Sequence, residues 1–592
     1  MHRPGLFARV LVAARRLLRN DQLLLGFLAV VIGVAAAAAE IGFRALLGSW
    51  QSILFGSGTE RLASLVRDLP WWQVVGAPML GGLAVGLFLK YLMPGGAAQG
   101  VAHVMEATAL RQGKMSLRAG VGSAVVSAVS LGSGASTGRE GPVVHLGATI
   151  GSLVARFLGL PGGLARTLLG CGVAAAVAAS FNAPFAGVFF ALEVVVGHYA
   201  LTAFAPIVLA AVAATVLTRS YYGDFPAFIL PDAYPIASAW EFPAFALLGV
   251  ASAGVAILFM WSVMTADQMA KNVTQVPRFL HPMFGGLVVG VMALWLPEVL
   301  GVGYEGTDQA LRGDLDFQLM LVLVVAKTLA TAICLGAGFG GGVFSPSLFV
   351  GAMLGGAFGT IATLVVPDLS SGNSAYTLVG MGAVAGAVLG APISTILIVF
   401  EMTGDYPLTI ALMVAVVIAS TITTQTLGKS LFEWQLRRRG VSLKAGRASG
   451  TLAVHKVSDV MTRDFATVPP DTPLVEVRER MRTARYGELF VVRADGTLVG
   501  TLTIADLNHR MLDDERDSRR LRAGDIAHDD GTVIAKDDGL DRAVRIMDRT
   551  GHSHLPVVRS WDDRRLVGFL HEHQVMLAYH RALLEQERES AG

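Results

Sequence analysis

The chain has 592 residues, of which 53% are hydrophobic and only 16% are charged, well under the ~25% typical of soluble proteins. A formal net charge of +2 gives no reason to expect a nucleic-acid partner, and two cysteines in apolar runs, Cys171 and Cys334, argue against a disulfide framework. Apolar runs continue to about Gly428, and charged residues dominate from about Arg437 onward. The composition predicts a polytopic membrane domain followed by a water-soluble tail.

The beginning of the chain combines positive charge with apolar residues. Residues 1–20 carry five arginines among leucine, valine and alanine, which predicts an amphipathic helix on the cytoplasmic face of a membrane. The apolar run 23–39 predicts a first membrane helix, and we expect Glu40 and Arg44 to mark its far end. Trp71 begins a second span, with its indole at a membrane interface.

Further apolar runs fill the rest of this region. They are 118–131, 143–160, 164–180, 181–196, 202–217, 242–263, 282–296, 317–335, 343–366, 375–389, 391–402 and 408–427. Several are too short to cross a hydrocarbon core of ~30 Å as straight helices, so we expect tilted or broken helices. A basic cluster at 434–440 indicates that this end faces the cytoplasm, as the amino terminus does. We therefore expect an integral protein of the plasma (inner) membrane.

A glycine-rich stretch, 131–142, leads into one of these helices through Arg139, Glu140, Gly141 and Pro142. The first four N–H groups of a helix lack intrahelical partners, and proline in the first turn loses no hydrogen bond. Such a helix end attracts anions. A carboxylate at this position, that of Glu140, would compete with an anion for the same amides.

The glycine-rich stretch is repeated at 335–346. An offset of 204 residues pairs Gly138 with Gly342, and an offset of 208 pairs Glu193 with Glu401. Duplicated segments interrupted by glycine and proline predict a transport site between two halves of the chain, about 21–220 and 240–440. The matching positions of Glu193 and Glu401 favour a structural role for both.

Three segments together resemble the CLC family of chloride channels and chloride/proton exchangers: Gly-Arg-Glu-Gly-Pro at 138–142, Gly-Gly-Val-Phe-Ser-Pro at 341–346 and Phe-Asn-Ala-Pro at 181–184. The resemblance covers about residues 20–440. It implies an α-helical membrane domain of two inverted repeats, in a homodimer whose subunits each have a pore. It implies transport of chloride and other small anions, and no enzymatic activity.

The resemblance also assigns roles to individual residues. It implies that the amides of Val343 and Phe344 bind chloride at a central site, and that those around Arg139, Glu140 and Gly141 form an outer site. It assigns Glu140 as the gate. An ionised Glu140 occupies an anion position, and a protonated or displaced Glu140 swings out and lets chloride pass.

Three positions depart from the family pattern. A serine that contacts the central ion is replaced by Ala97, and an inner tyrosine is replaced by Phe432, so we expect weaker selection of chloride over nitrate and bromide. The inner proton-relay acid of many exchangers is replaced by Val194, which favours uncoupled, channel-like conduction, with chloride/proton exchange as the alternative. Lys327 also lies in an apolar run. It either adds positive potential to the transport path or pairs with a nearby acid, and the sequence favours neither alternative.

After a linker at 441–454, the tail at 455–585 is itself duplicated with an offset of about 66–68 residues and resembles a tandem pair of CBS domains, a cytosolic α+β module. Predicted helices lie at 473–483 and 540–549. Thr503 and Asp506 match the ribose-contacting positions of that family, which implies a cleft for an adenine nucleotide. We expect no metal site and no other cofactor.

Overall fold

The computed structural model describes residues 21–59, 61–197, 201–224, 228, 236, 238–428, 430–439, 441, 455–484, 487–503, 506–507, 521–528, 532–550 and 552–578. The predicted amino-terminal helix at 1–20 and nearly all of the predicted linker lie outside these residues. The chain divides into two compact units, 1–443 and 444–592. Each unit has its own buried apolar core.

The described part of the first unit is helical. Its helices are α1 (Asp21–Phe55), α2 (Leu62–Arg67), α3 (Trp71–Tyr91), α4 (Val101–Leu110), α5 (Leu117–Gly132), α6 (Glu140–Phe157), α7 (Gly162–Phe181), α8 (Pro184–Phe190), α9 (Leu201–Tyr222), α10 (Phe242–Asn272), α11 (His281–Ala293), α12 (Tyr304–Arg312), α13 (Phe317–Ala337), α14 (Phe344–Val365), α15 (Asn373–Leu389), α16 (Pro392–Thr403), α17 (Tyr406–Leu427) and α18 (Leu431–Arg438). Short 3-10 turns lie at Ala239–Glu241, Arg278–Leu280 and Pro297–Val299, and α8 continues as a π-helix, Ala191–Val196.

Within the described ranges, eight helices are long and apolar enough to cross a membrane, and six further apolar helices have only 10–17 residues. The shorter group includes α4, α5, α15 and α16. The mixture confirms the prediction of a polytopic membrane protein with broken helices.

The predicted end of the first membrane helix was wrong. Helix α1 does not stop at Glu40 but continues to Phe55, and the Glu40 side chain is fully buried. Glu40 and Arg44 lie one turn apart and form an ion pair, and Arg44 Nη2 also donates to the carbonyl of Ser180 at 3.2 Å. Opposite charges four residues apart neutralise each other on the helix surface, so they need not end it.

The two repeats contact each other through equivalent residues. Gly138 and Gly342 exchange both backbone hydrogen bonds, at 2.7 and 2.6 Å. Glu193 accepts hydrogen bonds from amides in the first turn of α16, and Glu401 accepts them from amides in the first turn of α8, all between 2.8 and 3.1 Å. Reciprocal contacts of this kind arise when a two-fold axis relates the repeats. The predicted structural role of both glutamates thus has a physical basis, since each caps a helix.

A helix crossing shows the same reciprocity. A Cβ atom on Gly82 of α3 would lie 2.2 Å from the carbonyl oxygen of Pro282, and one on Gly286 of α11 would lie 2.1 Å from that of Pro78. Only glycine fits at either position. The exchange of equivalent contacts again agrees with two inverted repeats.

The second unit repeats one small α+β motif. Its helices are α19 (Val457–Val460), α20 (Leu474–Thr483), α21 (Ala523–Ile526) and α22 (Leu540–Thr550); its strands are β1 (Thr467–Val468), β2 (Glu488–Val492), β3 (Leu498–Thr503), β4 (Ile534–Ala535), β5 (His554–Val558) and β6 (Leu566–His571). The sheets have the orders β1-β2-β3 and β4-β5-β6, each with one parallel and one antiparallel pair. The Phe490 and Phe569 rings, 5.7 Å apart, join the two sheets in one core.

Candidate functional site

A cavity of about 330 Å³ lies in the membrane unit, and six of the residues predicted to bind chloride line it. They are Ala97, Glu140, Gly141, Val343, Phe344 and Phe432. The cavity extends to a mouth that carries Lys271 of α10 and Arg438 and Arg439 at the end of α18. The structure therefore brings together residues that are up to 335 positions apart in the chain.

Two helices begin beside this cavity, α6 at Glu140 and α14 at Phe344. The glycine loops before them approach so closely that a Cβ atom on Gly141 would lie 3.1 Å from Gly342 Cα. Gly341 has φ +151°, and a Cβ atom there would lie 2.2 Å from Thr137 Oγ1. Because the first amides of a helix have no intrahelical acceptors, the two helix starts supply partial positive charge to one region.

The carboxylate of Glu140 occupies that region and is 1% exposed. Its Oε1 accepts a hydrogen bond from the Tyr304 hydroxyl at 2.9 Å and another from the Ser345 hydroxyl. Arg139 Nε lies 3.9 Å from the same oxygen, which is too far for a hydrogen bond. Two hydroxyl groups, rather than the neighbouring arginine, thus hold the predicted gate in place.

Neither hydroxyl was predicted from the sequence. Ser345 lies within the segment that carries the amides of Val343 and Phe344, so a search for donors near that segment could have found it. Tyr304 is 164 positions from Glu140, and the local sequence around it gives no signal of the contact.

Arg139 packs against the ring of Tyr304. Its guanidinium carbon lies 4.8 Å from the centre of the Tyr304 ring, a cation–π contact, and Nη2 lies 3.4 Å from the carbonyl oxygen of Ser180. The Phe228 ring meets the Tyr304 ring edge-on at 4.9 Å. These contacts fix the ring whose hydroxyl holds Glu140.

Lys327 binds the loop that precedes the same tyrosine. Its Nζ donates to the carbonyls of Val299 and Gly301 at 3.0 and 2.9 Å, within the loop that leads into α12 and Tyr304. It also lies 5.0 Å from the centre of the Phe349 ring. Among the residues that the structure describes, no acid forms an ion pair with it, so pairing with an acid was the wrong alternative. Lys327 orders the loop that presents Tyr304.

Val194 lies in the π-helix that follows α8 and is buried away from the cavity lining. The neighbouring acid, Glu193, is engaged with the first turn of α16. As the sequence predicted, neither side chain offers a free carboxylate to the cavity.

Two histidines, His103 and His145, meet each other in this unit, and the sequence analysis did not single them out. His103, at the start of α4, lines the cavity, and its ring meets that of His145 of α6 edge-on at 6.4 Å. Arg439 Nη1 lies 2.6 Å from His103 Nε2. The His145 side chain is fully buried, and neither ring nitrogen has a hydrogen-bond partner in the described part of the chain. Helix α4 packs against both α6 and the π-helix that contains Val194.

Residues 81–424 match the family described as "Voltage gated chloride channel". The chain belongs to this family. The match covers more than half of the chain, so the resemblance read from the glycine-rich segments is confirmed. Residues 457–513 and 523–581 each match the CBS domain, which confirms the tandem pair in this voltage-gated chloride channel family member.

Known relatives extend over most of the membrane unit. A protein of Ralstonia nicotianae named as a ClcB-like chloride channel protein is 35% identical over 412 residues, which cover 69% of this chain and 95% of that protein. The protein of Vibrio vulnificus named "H(+)/Cl(-) exchange transporter ClcA" is 32% identical over 317 residues, 52% of this chain and 67% of that protein. A solved structure of a slow cyanobacterial Cl−/H+ antiporter superposes with a TM-score of 0.63 at 22% identity, over 70% of this chain and 97% of that one, and supports the fold.

In the CBS unit of this family member, the two predicted nucleotide residues contact each other. The amide and the hydroxyl of Thr503 both donate to Asp506 Oδ2 at 2.8 Å, and His528 Nε2 lies 2.8 Å from Asp506 Oδ1. The amide of His571 donates to Gln574 Oε1 at 3.1 Å, the equivalent contact in the second copy. Thr503 and Asp506 are not among the residues that line the cavity of about 260 Å³ in this unit.

Proposed function

We propose that this protein moves chloride across a membrane through the cavity, that Glu140 gates the path, and that chloride movement is coupled to protons. The observation that carries the proposal is the buried Glu140 carboxylate at the meeting point of two helix starts. An anion in low dielectric needs compensating positive charge, and the amides of α6 and α14 supply it without a full cation that would trap the ion. Glu140 and chloride therefore compete for one position.

Proton dependence follows from that competition. The ionised carboxylate lies beside the two helix starts and accepts hydrogen bonds from the hydroxyls of Tyr304 and Ser345. The protonated carboxyl carries no negative charge for these donors to stabilise. It therefore leaves the position and lets chloride enter. Coupling is supported by the relative named as an exchange transporter. Uncoupled conduction is the second candidate, because Val194 gives no acceptor for onward proton transfer.

The deciding experiment uses the full-length protein in liposomes under a chloride gradient, with a pH electrode and a chloride electrode recording the same sample. We expect protons to move uphill as chloride runs down its gradient. Chloride flux without proton movement, reversing at the chloride equilibrium potential at every pH difference, would replace exchange by uncoupled conduction.

We also propose a homodimer in the plasma (inner) membrane with both termini in the cytoplasm. Family membership supports the dimer, and the arginines at the end of α18 support the orientation through the positive-inside rule.

Anion selection is the first property that the cavity residues predict. Ala97 is exposed at the cavity and has no hydroxyl to donate to an ion. We expect Ala97→Ser to raise the chloride-to-nitrate permeability ratio by about fivefold to tenfold, the scale of one added hydrogen bond of ~1–1.4 kcal/mol. Reversal potentials in mixed anions measure the ratio, and Ala109→Ser is the matched control, because Ala109 lies in α4 and is not on the cavity lining. A parent protein that already rejects nitrate about tenfold would show that the amides alone discriminate.

Nucleotide binding is a second prediction, and it concerns the CBS unit. We propose that the CBS unit binds an adenine nucleotide weakly beside Thr503 and Asp506, whose mutual hydrogen bonds preorganise that corner. Calorimetry on the full-length protein should give heat with an adenine nucleotide, and Asp506→Ala should remove it. Gln574→Ala, in the second copy, should leave it unchanged. Absence of heat from a protein that still transports chloride would contradict the proposal.

A further inference from the structure

His145 is the most unusual buried polar group outside the gate. It lies in an apolar part of α6, and both of its nitrogens lack partners among the described residues. Burying an unpaired polar group costs free energy, so such a group calls for an explanation in function. A leucine of similar size would pack there without that cost.

The neighbour of His145 connects it to the transport path. His103 meets the His145 ring edge-on at 6.4 Å and lines the same cavity as Glu140. Arg439 Nη1 lies 2.6 Å from His103 Nε2, and the amide nitrogen of Gly100 lies 3.3 Å from Nδ1. A neutral imidazole has only one acceptor nitrogen, and arginine can only donate, so the shorter contact makes Nε2 the acceptor and leaves the single proton on Nδ1. The Arg439 side chain is exposed and free to turn toward solvent when Nε2 binds a proton.

We propose that His103 and His145 form the inner proton station of this transporter, which receives the proton released by Glu140. The proposal rests on the proposed chloride–proton exchange. Helix α4, which carries His103, packs against the π-helix that contains Val194, so the pair supplies proton-binding groups next to the element where the sequence lacked an acid.

The proton transfers balance without any further reactant. The protonated Glu140 carboxyl gives its proton through cavity water to an imidazole nitrogen, leaving a carboxylate and an imidazolium. The imidazolium then gives that proton to solution at the mouth beside Arg439 and becomes neutral again. An imidazole nitrogen can accept a proton and later release it, so the same side chain can perform both steps. Chloride in the cavity favours the imidazolium through opposite charge, which ties proton uptake to the presence of the anion.

The surrounding charges favour release of the proton. Arg439 Nη1, 2.6 Å from His103 Nε2, repels an imidazolium there, and Glu193 is bound to α16. The other helices that pack against α6 carry the Glu40–Arg44 pair on α1, Arg118 on α5 and Arg166 on α7. In the described residues, no hydrogen bond or ion pair joins Glu40, Arg44, Arg118 or Arg166 to either imidazole.

Two variants test the station in the full-length protein in liposomes. His145→Leu removes an imidazole that makes no hydrogen bond to the described residues, and His103→Gln keeps an acceptor for Arg439. We expect each to lower the proton-to-chloride ratio by about tenfold or more, the scale of a lost proton-transfer group, and this ratio rather than the chloride flux itself is the readout. His281→Gln is the matched control, because His281 Nε2 contacts the backbone of Val276 at 3.1 Å, away from the cavity lining.

The outcomes separate this proposal from exchange itself. A parent that moves no protons overturns exchange and the station together. A parent that couples, with both variants keeping its ratio, overturns the station alone and leaves exchange standing. Loss of chloride flux in His145→Leu and also in the milder His145→Asn would assign the imidazole a structural role and overturn the station as well.

Discussion

Glu140→Ala is expected to leave chloride flux independent of pH and to abolish uphill proton movement. The carboxylate competes with chloride for the amides at the start of α6 and α14, so its removal leaves the path open at every pH. Proton movement should fall by about two orders of magnitude or more, the scale of losing a positioned proton-transfer group. Chloride and proton fluxes in liposomes between about pH 4.5 and 7.5 measure both effects.

Glu140→Gln and Glu305→Ala complete this experiment. Glutamine keeps the shape of the side chain but cannot ionise, so it should share the loss of proton movement. Glu305 is adjacent to Tyr304, but its carboxylate accepts from the amide of Ser64 at 3.1 Å and is not on the cavity lining, so its removal should change neither flux. A Glu140→Ala protein with the proton dependence of the parent would place the gate at another residue.

The sequence was sufficient for the features that depend on local geometry. A glycine required by close backbone approach and a proline at a helix start leave signals at fixed spacing, so the pairing of Gly138 with Gly342 could be read before the contact was seen. The same holds for Glu193 and Glu401, which cap helices that begin with proline. In each case the chemistry of one residue already restricts the backbone.

The contacts that complete the gate could not be predicted, because they join distant segments. Nothing around Tyr304 reveals that its hydroxyl meets Glu140, and nothing around Lys327 reveals that its ammonium orders the loop before Tyr304. His145 lies in an apolar helix, where an isolated histidine usually satisfies itself in the core. Only its position beside His103 gives it a chemical role. The wrong prediction that the first membrane helix ends at Glu40 has the same origin. The sequence showed the charge of Glu40 but not its ion pair with Arg44, which lets the helix continue.

Tyr304→Phe combined with Ser345→Ala is expected to weaken closure of the gate without removing it. Both hydroxyls donate to Glu140 Oε1, and a hydrogen bond to a charged group contributes about 1.5–3 kcal/mol. One such bond corresponds to a shift of roughly 10- to 150-fold in the ratio of open to closed protein, so losing both should shift that ratio by at least this factor. Chloride flux at high pH, where the parent gate is closed, is the sensitive measurement.

The pH profile separates a gate effect from damage to the fold. Because the variant keeps Glu140, its flux should still rise as pH falls, and it should differ from the parent mainly at the alkaline end of the profile. Tyr376→Phe is the control: Tyr376 is equally buried, but its hydroxyl bonds to Glu241 and lies off the cavity lining, so its loss should leave the profile in place. A Tyr304 and Ser345 double variant with the alkaline flux of the parent would mean that the amides of α6 and α14 hold the carboxylate by themselves.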